Sequence, residues 1–272
     1  MIIDFHIHPN YSHDAEDISI DKYAQKAAGL GINALAFTTH MDLSPAFTDK
    51  KDAFVRVNNN LVHVSEDWLP AYMVEIKQAA EKYKKQVKIF TGIEITYEPY
   101  YEHLIRDKIK GYEFDYVLGA VHNIADMPFD LPDTYEKCFA GKSFQQFCIK
   151  YFGIITKLAE SRIATSIAHL DSYKRYGIKY YGEESFKKLP EGAEQALKAI
   201  VRNNCIIEIN CSGFRHGVNE PYPSDLLLSA AVDCGLKYVA VGSDTHKYDL
   251  LCQNIDKAEP LIKKYNLQKI II

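Results

Sequence analysis

The chain has 272 residues, 47% of them hydrophobic and 25% charged, and carries a formal net charge of −4. Those values exclude disorder, supply ample apolar material for a core, and suit a single α/β barrel domain over residues 1–272. The acidic balance and scattered lysines give no general attraction to nucleic acid or a membrane surface, although bound cations could make one site locally positive.

In chain order, short runs rich in β-formers fall at residues 2–7, 34–39, 87–96, 116–121, 165–168, 205–210 and 238–242, with 269–272 as a candidate last strand. Helical stretches lie between most of them. The first runs from an N-cap at Ser19 to the Gly29-Leu30-Gly31 stop, and others cover 66–85, 143–160, 191–203, 224–233 and 254–264. Parallel neighbours need crossover helices, so this alternation predicts a parallel sheet. A distorted (β/α)7 TIM-like barrel is the first expectation. An open doubly wound sheet is the second, weakened by the lack of a Gly-rich loop after the first run. Residues 44–60 and 124–142 read as irregular insertions over one face.

The opening MIIDFHIHPN has neither a basic n-region nor an apolar run of signal length, and no later stretch approaches the ~18 apolar residues of a membrane span. A cytoplasmic protein is expected. The six cysteines (Cys138, Cys148, Cys205, Cys211, Cys234 and Cys252) form no CxxC pair, and read as structural residues of a reducing compartment.

The histidines and acids carry the chemistry. His6 and His8 alternate at the end of the first run, so both imidazoles point the same way and can share an ion. His40 follows the second run, Glu94 lies near the end of the third, His122 follows the fourth, His169 closes the fifth, and Asp244 with His246 follows the seventh. In a parallel barrel all these strand ends open on one face, where such folds place their active sites. His63 lies in an insertion and His103 on a polar helical stretch, so neither joins the set.

Crowded imidazoles and carboxylates repel and desolvate one another unless cations relieve both effects, and mixed nitrogen and oxygen donors suit zinc, iron or manganese. A carboxylate such as Glu94 can bridge two ions, and two close ions can clamp a phosphoryl group.

In order, DFHIH, FTTH, GIE, AVH, AHLD and GSDTH resemble the successive motifs of the PHP (polymerase and histidinol phosphatase) superfamily, over about residues 2 to 250. The resemblance implies a distorted barrel around two to three divalent ions, with ligands at His6, His8, Asp14, His40, Glu94, His122, His169, Asp244 and His246. HPNYSHD, AHLDSYKRYG and EINCSGFRHGVNEPYPSDLL resemble the histidinol-phosphate phosphatase branch, which implies that Arg175 and Arg215 contact a substrate phosphate. An arginine fork pairs well with phosphate oxygens. Two positions depart from the pattern. Asp14 stands where many PHP proteins have histidine, with His13 beside it as an alternative ligand, and Thr39 stands where many place an acid that could orient His40.

The expected activity is phosphomonoester hydrolysis on a small phosphorylated metabolite, L-histidinol phosphate first, with Asp244 or His246 protonating the leaving alkoxide. Three rivals remain. A PHP nuclease requires a basic groove or stacking aromatics. An amidohydrolase barrel also opens with H-x-H but needs a bridging lysine where Glu94 stands here. A metal-binding barrel without turnover would show lost ligands. Oligomeric state is left open.

Overall fold

The computed structural model describes residues 1–44 and 51–271. Its strands are β1 (Ile3–Ile7), β2 (Ala34–Phe37), β3 (His40–Met41), β4 (Phe54–Val57), β5 (Asn60–His63), β6 (Lys88–Thr96), β7 (Tyr116–Ala120), β8 (Asn123–Ile124), β9 (Met127–Pro128), β10 (Ser166–Ile167), β11 (Ile206–Asn210), β12 (Tyr238–Gly242) and β13 (Gln268–Lys269). The α-helices are α1 (Ile20–Gly29), α2 (Leu69–Tyr83), α3 (Glu102–Ile109), α4 (Tyr135–Phe139), α5 (Phe144–Ser161), α6 (Lys174–Tyr181), α7 (Ala193–Arg202), α8 (Asp225–Asp233) and α9 (Glu259–Lys264).

The main sheet runs β1-β2-β6-β7-β10-β11-β12-β13 with every pairing parallel, and β3 pairs alongside β6. All residues of β1, β2 and β7 are buried, as expected of parallel strands covered on both faces. The sheet curls until β1 meets the segment after β12. There Ile7 bridges Thr245, the His8 N–H donates to the Thr245 carbonyl at 3.0 Å, and the Thr245 N–H donates to that of His6 at 3.2 Å. At the other end of β12, β13 pairs through Tyr238 and Val239. The seven expected strands therefore form the TIM-like curl, and the distortion lies where β13 shares the edge of β12 with β1.

Local chemistry sets the helix boundaries. The Ser19 hydroxyl accepts the Lys22 N–H as an N-cap, and Ser143 and Gln146 form a reciprocal capping box at the start of α5. Pro70 stands in the first turn of α2, so the helix begins at Leu69 rather than at residue 66.

Several expectations need correction. The second strand ends at Phe37 rather than at residue 39, and His40, expected just after the run, lies on the separate two-residue β3, which pairs with β6 and sets His40 opposite Glu94. Residues 44–60 are not wholly irregular: β4 and β5 form an antiparallel hairpin, while 45–50 lie outside the described residues. Residues 124–142 contain β9, paired with β8, and helix α4. The helix expected over 254–264 is a 3-10 turn, Ile255–Ala258, preceded by Asn254 at a left-handed φ of 64° and followed by α9, which has Pro260 in its first turn. The last strand is Gln268–Lys269, and Ile272 lies outside the described residues.

Candidate metal centre

The strand ends converge as the alternation requires. His6, His8 and Glu94 are buried at the mouth of the curl. His6 Nε2 lies 3.3 Å from Glu94 Oε2 and 3.5 Å from Asp244 Oδ1, and His8 Nε2 lies 3.5 Å and 3.4 Å from the same two oxygens. These four separations are close to the edge, about 3.3–3.4 Å, expected between ligand atoms that share a tetrahedral ion with bonds of about 2.0–2.1 Å. Among the described residues, His6 Nε2, His8 Nε2 and Glu94 Oε2 are buried without a hydrogen-bond partner. Orphaned buried donors and acceptors are costly, and a cation satisfies all of them at once.

The other oxygen of Glu94 faces a second set. Glu94 Oε1 lies 3.0 Å from His169 Nε2 and 3.6 Å from His122 Nε2. A third set gathers at the rim, where Asp14 Oδ2 lies 3.2 Å from His246 Nε2 and 3.7 Å from His40 Nε2. Among the described residues, His8/His40/His246, His6/His8/Asp244 and His6/Glu94/His169 each bring ligand atoms within 4.8 Å of one another. All nine residues singled out from the sequence thus meet in one place. His13 borders the neighbouring side cavity, His103 is exposed, and His63 bonds Ser65 Oγ at 2.6 Å in the β4–β5 hairpin.

Electrostatics bind the cluster together. Burial works against charge on His6, but Glu208, Asp244 and Glu94 outweigh it and raise the imidazole well above its usual range. His40 is likewise raised by Glu94 and Asp14 against its burial. Glu94 and Asp244 are also opposed by burial, and the surrounding imidazoles hold both carboxyls well below the usual range. Burial pushes His8 well down, helped by His246 and His40, and pushes His122 down to about 3. A site that holds so many protons between carboxylates exchanges them for divalent cations as pH rises.

Supporting residues that the sequence reading missed fix these ligands. Buried Glu208 accepts from His6 Nδ1 at 2.7 Å and from the His169 backbone N–H at 2.9 Å, which leaves His6 Nε2 for a metal. Asn210 donates to Glu208 Oε2 at 3.0 Å and to Asp244 Oδ2 at 3.4 Å. Ser12 pairs with His8 Nδ1 at 3.1 Å and Thr96 with His122 Nδ1 at 3.0 Å. Thr39 supplies no such support: its buried hydroxyl has no hydrogen-bond partner among the described residues. Gly242 is required by close approach: a Cβ there would collide with the Glu208 carboxylate and His6 Cβ. Asp244 and His169 hold left-handed φ values of 56° and 25°, strain of about 1–3 kcal/mol each that concentrates at functional sites.

Above the cluster opens a cavity of about 410 Å³ bordered by Arg175, Arg215, His216 and Lys247. Arg215 Nη2 donates to the carbonyls of Ser243 at 2.7 Å and Asp244 at 2.8 Å, and its buried Nη1 has no partner among the described residues. Arg175 packs its guanidinium 5.2 Å from the Tyr176 ring. His216 meets the Tyr222 hydroxyl at 3.4 Å, and burial with Arg175 lowers its imidazole to about 4.

The PHP domain family model matches residues 4–212, more than three-quarters of the chain. The chain belongs to the PHP family. Among PHP relatives, it is 27% identical to the histidinol-phosphatase of Lactococcus lactis subsp. lactis, over 98% of this chain and 93% of the relative. It is also 27% identical to a probable histidinol-phosphatase of Deinococcus radiodurans, over 83% and 79%. A crystal structure of the Lactococcus lactis histidinol phosphate phosphatase, complexed with zinc, L-histidinol and phosphate, superposes with a TM-score of 0.76 at 22% identity, over 99% of this chain and 95% of that one. That likeness establishes the PHP barrel fold.

Proposed function

We propose that this protein is a metal-dependent phosphoric monoester hydrolase that converts L-histidinol phosphate to L-histidinol and phosphate. The observation that carries the reading is one cavity that two arginines share with His40, His122, His169, Asp244 and His246, beside buried ligand atoms of His6, His8 and Glu94 that have no hydrogen-bond partner among the described residues. The histidinol-phosphatase relatives and the zinc, histidinol and phosphate of the Lactococcus lactis enzyme support it. A role in histidine biosynthesis and a cytoplasmic location follow from this reading. Among the described residues, no helix is long and apolar enough to cross a membrane.

His6, His8, Asp14, His40, Glu94, His122, His169, Asp244 and His246 would hold two to three ions of zinc, iron or manganese, with Glu94 shared between sets. When bound, such ions activate water and neutralise charge on a phosphoryl group. Arg215, held through Nη2, presents its remaining N–H groups to phosphate oxygens, and Arg175 adds a second positive charge. Asp244 and His246 border the cavity and are assigned to proton delivery at the leaving alkoxide oxygen. Glu208 and Asn210 orient the floor and exclude water behind it.

The test is phosphate release by metal-reconstituted protein, with elemental analysis alongside. Turnover of L-histidinol phosphate that disappears on chelation, with two to three ions per chain, is expected. Cleavage of single-stranded DNA without monoesterase activity overturns the reading.

A further inference from the structure

Eight of the nine ligand residues lie on strands or within a few residues of a strand's end, but Asp14, which brings a carboxylate to the rim set, sits on a turn well past β1. Sheet pairing alone does not place it. The turn nonetheless touches each imidazole of the set His8/His40/His246. Ser12 Oγ pairs with His8 Nδ1 at 3.1 Å and accepts the His40 N–H at 3.4 Å, and the Glu16 N–H donates to the His246 carbonyl at 2.9 Å. The shape of residues 10–16 therefore sets the geometry of the rim.

A residue from the β4–β5 insertion holds that shape. Arg56 on β4 turns its guanidinium into the turn, where Nη1 donates to the carbonyls of Asn10 at 2.9 Å, Ala15 at 3.4 Å and Ser12 at 3.5 Å, and Nη2 donates to that of His13 at 3.0 Å. The His13 carbonyl belongs to the peptide that leads into Asp14. Four carbonyl oxygens gathered around one point repel one another unless a strong donor answers them, and a planar cationic fork does so from a single side chain. The main chain adds to the hold, for the Arg56 N–H donates to the Tyr11 carbonyl at 2.9 Å and Ser12 bridges Val55. The hairpin is itself anchored: the Val64 N–H donates to the Ala53 carbonyl at 2.8 Å, and buried Trp68 donates through Nε1 to the Val64 carbonyl at 2.9 Å.

We propose that Arg56 is a positioning residue through which the β4–β5 hairpin delivers Asp14 to the rim imidazoles, and so governs how tightly the rim ion is held, separately from the ions of the inner sets. The inference rests on the metal-centre reading above. A positive charge close to a cation site weakens binding by repulsion. Removing Arg56 tightens the rim ion if charge alone matters and loosens it if position matters, so the two roles differ in sign.

The test is titration of metal-stripped protein with zinc in competition with a chromophoric chelator. Asp14→Asn marks the rim class of site. Arg56→Met, which keeps length but loses every donor, should weaken that class by about 10- to 100-fold and leave the other classes unchanged. Combined with Asp14→Asn it should add little, since both act through one carboxylate. Arg56→Lys, with charge but no fork, should fall between Arg56→Met and wild type. Unchanged or tighter binding in Arg56→Met, equal weakening of all classes, or full additivity in the double variant overturns the proposal. If Arg56→Met does not fold, Arg56→Lys decides: weakening confined to the rim class supports the role, and any other result refutes it. Wild-type zinc binding in Asp14→Asn would remove the rim ion and the proposal with it. A wild type that binds no zinc would refute the metal centre itself, a distinct outcome.

Discussion

The floor and the wall of the cavity are built differently. The floor consists of side chains from strand ends, largely buried, each touching two or more others, so that Glu94 alone lies within 3.7 Å of His6, His8, His40, His122 and His169. The wall includes residues on turns and short helices, among them Arg175, whose guanidinium packs on Tyr176, and Arg215, which donates to the Ser243 and Asp244 carbonyls. The contrast teaches that the floor should fail as a unit, while wall residues can be changed one at a time.

The largest effect should come from Glu94→Gln. It preserves shape but removes the charge that two sets of imidazoles share, so turnover should fall by about a thousandfold or more with loss of metal. Wild-type turnover and metal content in that variant would break the comparison. Arg215→Ala should cost about 2–4 kcal/mol in kcat/KM, mostly through KM, with metal content unchanged, and Arg215→Lys should recover only part. Metal loss in the alanine variant would place Arg215 with the floor. Glu208→Gln should weaken metal affinity or activity by about 10- to 100-fold, and an effect confined to KM would move Glu208 out of the support layer.

The smallest effect concerns pH and sharpens the same contrast. In metal-free protein, His6 and His40 are raised well above 6.5, so their contribution to stability is full below 6.5 and is lost as pH rises through the raised values. His8 and His122 are lowered and already neutral in that window, so they add no opposing slope there. Chelated protein should therefore lose Tm as pH rises above about 6.5, whereas protein with saturating zinc should gain, since zinc competes with those protons. Parallel Tm profiles with and without metal would contradict the cluster electrostatics.

Much of the floor was legible in the sequence because strand alternation is strict and each strand ends where its apolar run ends. His6 and His8 share a face by spacing alone, and His122 follows the apolar run YVLGAV. Glu208 and Asn210 obey the same alternation in EIN, but a lone acid inside a strand carries no sign of its partner 202 positions away. The wall was harder to see. Helix α6 contains Gly177 and three tyrosines, residues of weak helix propensity, and tertiary packing such as Tyr176 stacked on Tyr135 at 4.6 Å holds it. Asp130, which borders the cavity, follows a buried Phe129 in a segment without periodicity, so its position depended on contacts that sequence spacing does not encode.

The junction of the first strand with the segment after β12 has a topological consequence. Asp4 bonds Ser243 through hydrogen bonds of 2.6 and 2.8 Å across 239 positions, and immediately above them His6 and His8 face Asp244 and His246. An ion held by both pairs rivets a ring that encloses almost the whole chain. Because the entropy of closing a ring grows with its length, though only logarithmically, such a rivet is somewhat more effective than one across a short loop, and it ties every intervening unit to the same opening event. Metal removal should thus convert one cooperative unfolding event into an earlier parting at the rivet, read as amide exchange at Thr245 and His8 that accelerates before exchange at the β6–β7 pairing.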